Sequence, residues 1–200
     1  MKIKKFLLIL FFYALAFTNS HSIEPDVFVQ STVNRASNVL SKDISKEQKI
    51  NELKVIAKET VDIRGVGFYS LGSARKNLDQ NQKNKYSELF ESYFLKSFSS
   101  RLAEYTNPEI EVQGKEVLNK NYTIVNSLLV GTSDRPEVKI DWRIYTKNPD
   151  NPLIRDLIIE GLSLARTQKE EFSSILNSND GDIDVLFKTL KEFSLSLIHI

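Results

Sequence analysis

The sequence predicts an α+β fold: a curved four-stranded antiparallel sheet packed against a helical bundle. Three observations lead there. Residues 25–106 repeat apolar side chains at spacings of three and four, residues 109–160 carry strand-like alternation and β-branched runs, and helical spacing returns after residue 164. Helices, then strands joined by short turns, then helices describe an antiparallel meander with helices gathered on one face.

Each element has its own signal. Glu24-Pro25-Asp26 marks a helix start, because proline suits the first helical turn. Val29, Val33, Ala36, Val39 and Leu40 then form an apolar stripe. Ser45 and Gln48 are spaced to cap a second helix, through Ile50, Leu53, Ile56 and Ala57. Asp62 is read as the cap of a short third helix that stops near Leu71-Gly72. Asp79 and Gln82 form a further capping pair. The longest stripe follows, unusually aromatic: Tyr86, Leu89, Phe90, Tyr93, Phe94, Phe98, Leu102 and Tyr105, ended by Asn107-Pro108.

Strands are expected over 109–118, 122–132, 138–145 and 153–160. Val138, Ile140, Trp142 and Ile144 alternate with polar residues, so one face is buried. Residues 122–132 are apolar on both faces, which leaves their inward parity open. Thr167 and Glu170 offer a capping box for a helix through Phe172, Ile175 and Leu176. Asp180-Gly181 breaks that helix, and Asp182 and Asp184 start the last one, over 183–193.

Residues 1–22 read as a cleaved secretory signal peptide: Lys2, Lys4 and Lys5, a 12-residue apolar run from Phe6 to Phe17, and a small polar stretch. The run is shorter than the roughly 20 residues a membrane span needs, and an uncleaved amino-terminal anchor is the alternative reading. The expected organisation is a leader over 1–22 and a single domain over 23–200, helical over 25–106, sheet over 109–160 and helical again over 164–193. Removing the leader takes the basic count from 27 to 24 against 26 acids. A nearly neutral domain offers no electrostatic footprint for nucleic acid and no polybasic membrane anchor. Cysteine is absent, so no disulfide supports the fold and a hydrophobic core must.

Little points to catalysis. Besides His21 at the cleavage region, the only histidine is His199, and without cysteine a nucleophile–base pair has few candidates. No loop has calcium-binding spacing; Asp180-Gly-Asp182-x-Asp184 lacks the later glycine and glutamate. Gly65 and Gly67 lack the rest of a dinucleotide motif. Asp156 and Glu160 could do acid–base chemistry, but a hydrogen bond or ion pair to Arg155, Arg143 or a helix end is the simpler expectation. No metal site or cofactor is expected.

One stretch is more specific. Asp156-x-x-x-Glu160-Gly161-x-Ser163-Leu164, with Phe172 eight residues on, resembles the carboxy-terminal signature of the periplasmic phospholipid-binding proteins of the toluene-tolerance (MlaC-like) group. A second block is similar to the same family: Asp62, Leu71-Gly72, Arg75, Gln82, Phe90, Phe94 and Tyr105. The chain departs from the family pattern at Pro152 and Ala74, where tryptophan is usual.

The expected sheet, strongly curved and wrapped around helices, resembles a nuclear-transport-factor-2-like cone. The family resemblance implies a soluble carrier that performs no chemistry, and a monomer is expected. Such a carrier holds glycerophospholipid acyl chains between sheet and helices. Its partners in this family are an outer-membrane lipoprotein–porin complex and an inner-membrane ABC transporter with a ring-shaped lipid-binding subunit, the system that maintains outer-membrane lipid asymmetry. Candidate lining residues are Phe68, Leu71, Phe90, Phe94, Phe98 and Leu102 from the helices. The sheet contributes Val125, Leu129, Ile140, Trp142, Ile144 and Ile158, and the last segment Leu164 and Phe172. With the headgroup left in water, no cationic pocket is required, in line with the absence of a basic run. Two alternatives are an enzyme on the same cone using Asp156 or Glu160, and a structural envelope protein without a cavity.

Overall fold

Local signals set most helix boundaries. The computed structural model describes residues 22–133 and 135–196. Apart from Ser22, the expected leader lies outside the described residues, as does His199. Helix α1 (Pro25–Leu40) has proline in its first turn. Ser45 and Gln48 close a reciprocal capping box on α2 (Lys46–Thr60). Asp62 caps α3 (Ile63–Ser70), accepting from the Gly65 amide at 2.8 Å. After a 3₁₀ turn, Asp79 and Gln82 cap the 23-residue α4 (Gln80–Leu102). This helix stops at Leu102, so Tyr105 lies beyond it in an irregular segment where Asn107 has a φ of 46°.

The strands are β1 (Ile110–Asn119), β2 (Tyr122–Leu129), β3 (Val138–Tyr145), β4 (Leu153–Ile159) and β5 (Leu162–Ser163). They form one antiparallel meander in chain order. The expectation of four strands is corrected to five. Glu160 and Gly161, with φ values of 49° and 81°, make a two-residue turn of the type I′ kind, which folds the chain back for two residues of pairing. Helix α5 (Leu164–Asn177) follows at once, a turn earlier than the Thr167 cap predicts. Ser163 is the cap, accepting from the Arg166 amide at 3.0 Å, and Thr167 instead donates back to the Ser163 carbonyl. Asp182 caps α6 (Ile183–Leu195), as the sequence suggests.

Register settles which side chains face the helices. On β2 the buried set is Thr123, Val125, Ser127 and Leu129; on β3 it is Ile140, Trp142 and Ile144. The two strands interlock through Trp142, whose indole N–H donates to Ser127 Oγ at 2.8 Å, and through Ser127, which donates to the Ile140 carbonyl at 3.0 Å. On β4 the pairing skips Arg155: Arg143 faces Asp156, but Ile144 faces Ile154. Such a bulge bends the strand and flips its parity. Leu157 therefore pairs with Trp142 and shares its side, whereas Ile158 pairs with Asp141.

Helix α1 lies on β1 and β2, while α3 and α5 lie on β4. Helix α4 runs down the middle of the helical layer and makes its close backbone approaches to α2, α3 and α6 rather than to the sheet. Its aromatic side chains fill the intervening space. Gly67 lets α3 settle onto them: a Cβ there would come within 2.7 Å of the Phe90 ring. The Tyr86 hydroxyl donates to the Gly67 carbonyl at 2.8 Å, at the same junction.

Asp156 joins β4 to α5. Its carboxylate, buried in the fold, accepts from Ser163 Oγ at 2.6 Å and from the Ala165 amide at 3.0 Å, with Arg143 at 3.6 Å. The spacing Asp156–Ser163–Leu164 is thus a strand carboxylate, a tight turn and a helix cap brought into register.

Two variants test these joints. Asp156→Ala leaves buried donors at the start of α5 unpaired and should lower stability by about 1–3 kcal/mol in denaturant unfolding. Gly67→Val crowds Phe90 and should cost about 1–3 kcal/mol in the same measurement.

Candidate functional site

Where α4 stands off the sheet, the space left by its side chains is a cleft of about 290 Å³. One wall is α4, with Phe90, Tyr93, Phe94, Ser97, Phe98 and Arg101 in succession. The opposite wall is Trp142 on β3 with Ile154 and Leu157 on β4. Leu164, Ala165, Thr167, Gln168 and Glu171 on α5 close the side, and Val61 and Val66 close the α3 end.

The α4 wall follows from helical spacing: positions three and four apart share a face. Phe90 and Phe94 have centroids 6.1 Å apart, and Phe94 and Phe98 are 5.4 Å apart with rings 11° from parallel. Phe172 meets Phe90 edge-on at 6.2 Å, inclined by 89°. Offset and edge-to-face contacts of this sort add to plain burial.

Polar side chains share the lining: Tyr93, Ser97 and Arg101 on α4, Arg155 and Asp156 on β4, and Thr167, Gln168 and Glu171 on α5. Tyr93 donates from its hydroxyl to Gln168 Oε1 at 2.9 Å, bridging α4 to α5. Burial pushes the Tyr93 phenol above its ordinary pKa, and Glu171 adds to the effect, so it stays a neutral donor. Asp156 and Arg155 line the α3 end. Arg155 Nε donates to Asp62 Oδ2 at 2.5 Å, and its guanidinium lies over the Tyr145 ring, 4.4 Å from the centroid.

Of the residues expected to line a cavity, Phe90, Phe94, Phe98, Trp142 and Leu164 do so. Leu71, Val125, Leu129, Ile140, Ile144 and Phe172 are buried in the surrounding core, and Phe68 packs against it. Leu102 sits elsewhere, in a second cluster with Val39, Leu40, Leu53 and Ile56. Ile158 is not among the lining residues, because the bulge at Arg155 gives its expected place to Leu157. Tyr93 had a visible signal, three residues after Phe90 on the same stripe. Leu157 had none, since simple alternation along β4 gives the wrong parity.

The two acids are tied to structure. Asp156 holds the start of α5, and Glu160 accepts from the Lys139 amide at 2.5 Å, pinning the end of the β4 hairpin to β3. Among the described residues, no cluster of three or more His, Cys, Asp or Glu side chains could hold a metal ion. No described helix is long and apolar enough to cross a membrane.

The sequence model of the MlaC protein family matches residues 30–192. No characterised protein sequence matches closely enough to count as a relative. Among solved structures, the chain is similar to a phospholipid-binding protein from Ralstonia solanacearum, determined in complex with a phospholipid. The TM-score is 0.73 at 19% identity, over 86% of this chain and 97% of the other. That likeness extends to the whole α+β architecture. The family match runs from α1 through α6, and the chain belongs to the MlaC family.

Proposed function

We propose that this chain is a soluble periplasmic carrier of glycerophospholipid. It takes acyl chains into the cleft between α4 and the sheet and passes lipid between outer- and inner-membrane complexes. The observation that carries the reading is the apolar, aromatic-lined cleft in a member of the MlaC family. The phospholipid held by the Ralstonia solanacearum protein of the same architecture supports it.

The energetics favour a sheltered path. Two acyl chains hold about 30 methylenes, and at about 0.8 kcal/mol each their exposure to water costs on the order of 24 kcal/mol. A cleft lined by Phe94, Phe98, Leu157 and Leu164 offers the tails surroundings close to those of a bilayer. Transfer is then nearly neutral, so direction must come from partners: an outer-membrane lipoprotein–porin complex and an inner-membrane ABC transporter with a ring-shaped subunit. The cleft, about 290 Å³, lies at the lower edge of the roughly 300–1,000 Å³ typical of ligand sites. Loading two chains therefore requires α4 and the sheet to separate further. No chemical step is part of this function.

Organic extraction of the purified protein followed by mass spectrometry should yield phospholipid near one molecule per chain. A folded protein that stays empty after incubation with phospholipid vesicles would sink the reading. Neighbouring residues give a sharper test of the site. Leu157→Asp should reduce lipid retention at least tenfold, whereas Ile158→Asp should leave it within about twofold. Equal loss in both, with both folded by circular dichroism, would remove Leu157 from the wall.

A further inference from the structure

The cleft has two ends of different electrostatic character. At the α3 end, Arg155 is ion-paired with Asp62 at 2.5 Å and Arg143 lies 3.6 Å from Asp156. An anion arriving there would have to displace a carboxylate. At the other end, Arg101 lines both the apolar cleft and an adjoining polar recess. That recess, about 600 Å³, is lined by Arg101, Glu104, Tyr105, Thr106, Thr132 and Arg135. Among the described residues, neither Arg101 nor Arg135 is in an ion pair.

Arg135 is also positioned. Thr132 and Arg135 pair through their backbones in a tight loop. Gly131 permits that loop, because a Cβ there would lie 2.9 Å from the Glu137 nitrogen. The guanidinium rests over the Tyr105 ring, 5.4 Å from its centroid, and donates to the Val130 carbonyl at 3.3 Å. Its Nε is buried with no hydrogen-bond partner among the described residues. That nitrogen is closed to solvent, so a ligand in the recess meets Arg135 through its terminal guanidinium nitrogens, whose fork suits phosphate oxygens.

We infer that the cleft holds its lipid in one orientation, with the phosphodiester at Arg101 and Arg135 and the tails running back along α4 toward Phe90. This rests on the carrier reading and adds a polarity to it. From Phe90 to Arg101 the helix rises about 16 Å. That matches half of a hydrocarbon core of roughly 30 Å, the reach of one leaflet's tails. Among the described lining residues, two arginines and Glu104 leave one net positive charge, which complements a single phosphodiester anion. The sequence gives no basic run here; the fold brings together two arginines that are far apart in the chain.

The test compares phosphatidylglycerol with diacylglycerol of identical chains, each offered from vesicles. The wild type should retain the phospholipid about tenfold better, since each partly exposed charge pair contributes a few-fold. R101Q/R135Q should bring the ratio to about one. Where the double variant fails to fold, R101Q alone, on the exposed side of α4, should lose about threefold. Equal retention of both lipids by the wild type, or an unchanged ratio in a folded variant, overturns the inference and leaves the carrier standing. Uptake of neither lipid overturns both. Inorganic phosphate alone is the third arm: binding to lipid-free protein as tight as phosphatidylglycerol, lost in R101Q/R135Q, would mark an independent phosphate site and overturn the orientation.

Discussion

A single buried carboxylate governs how the sheet meets α5. Asp156 accepts from Ser163 Oγ and from the Ala165 amide, so the first turn of α5 is fixed against β4. That placement sets Leu164, Ala165 and Gln168 along the cleft and drives Phe172 into the core. Burying a carboxylate is unfavourable unless its oxygens are satisfied. Here the satisfaction comes from the element that Asp156 orients, which makes the joint specific as well as stable. Glu160 supports it from the hairpin side through the Lys139 amide.

The second determinant is the bulk of the α4 aromatics. The distance at which a helix packs depends on the side chains at the contact. Phe90, Phe94 and Phe98 follow one another along a single face, and their rings stack along the helix instead of interdigitating fully with Trp142 and Leu157. A helix so equipped keeps its backbone away from the sheet. The gap is a consequence of side-chain shape, and its aromatic and aliphatic wall comes from Phe90, Phe94, Phe98, Trp142 and Leu157.

The sequence made the helical half readable because its caps are local. Ser45 with Gln48, Asp62, and Asp79 with Gln82 act within one turn, and each forms the bond its spacing suggests. Strand order was equally accessible, since short turns leave a meander as the simple solution. What escaped were features that depend on pairing between distant segments. The bulge at Arg155 exchanges Ile158 for Leu157, and the start of α5 depends on a hairpin whose second strand is two residues long. Leu102 shows the limit of a stripe: it continues the spacing of Phe94 and Phe98 but packs against the separate cluster of Val39, Leu40, Leu53 and Ile56 on α1 and α2. The pairing of Arg101 with Arg135 around one recess had no sequence signal at all.

Gly67 has a further consequence. With no side chain between α3 and the Phe90 ring, and with Tyr86 bonded to the Gly67 carbonyl, the two helices are keyed to each other. Lys96 extends the unit by donating to the carbonyls of Phe193 and Ser194 at the end of α6. Enlarging the cleft by prising α4 from α3 would break this key. Swinging the keyed helices together away from β3 and β4 would instead release the Asp62–Arg155 ion pair and the bond from the Asp62 amide to the Ile154 carbonyl, so α3 is the latch between the helical layer and β4.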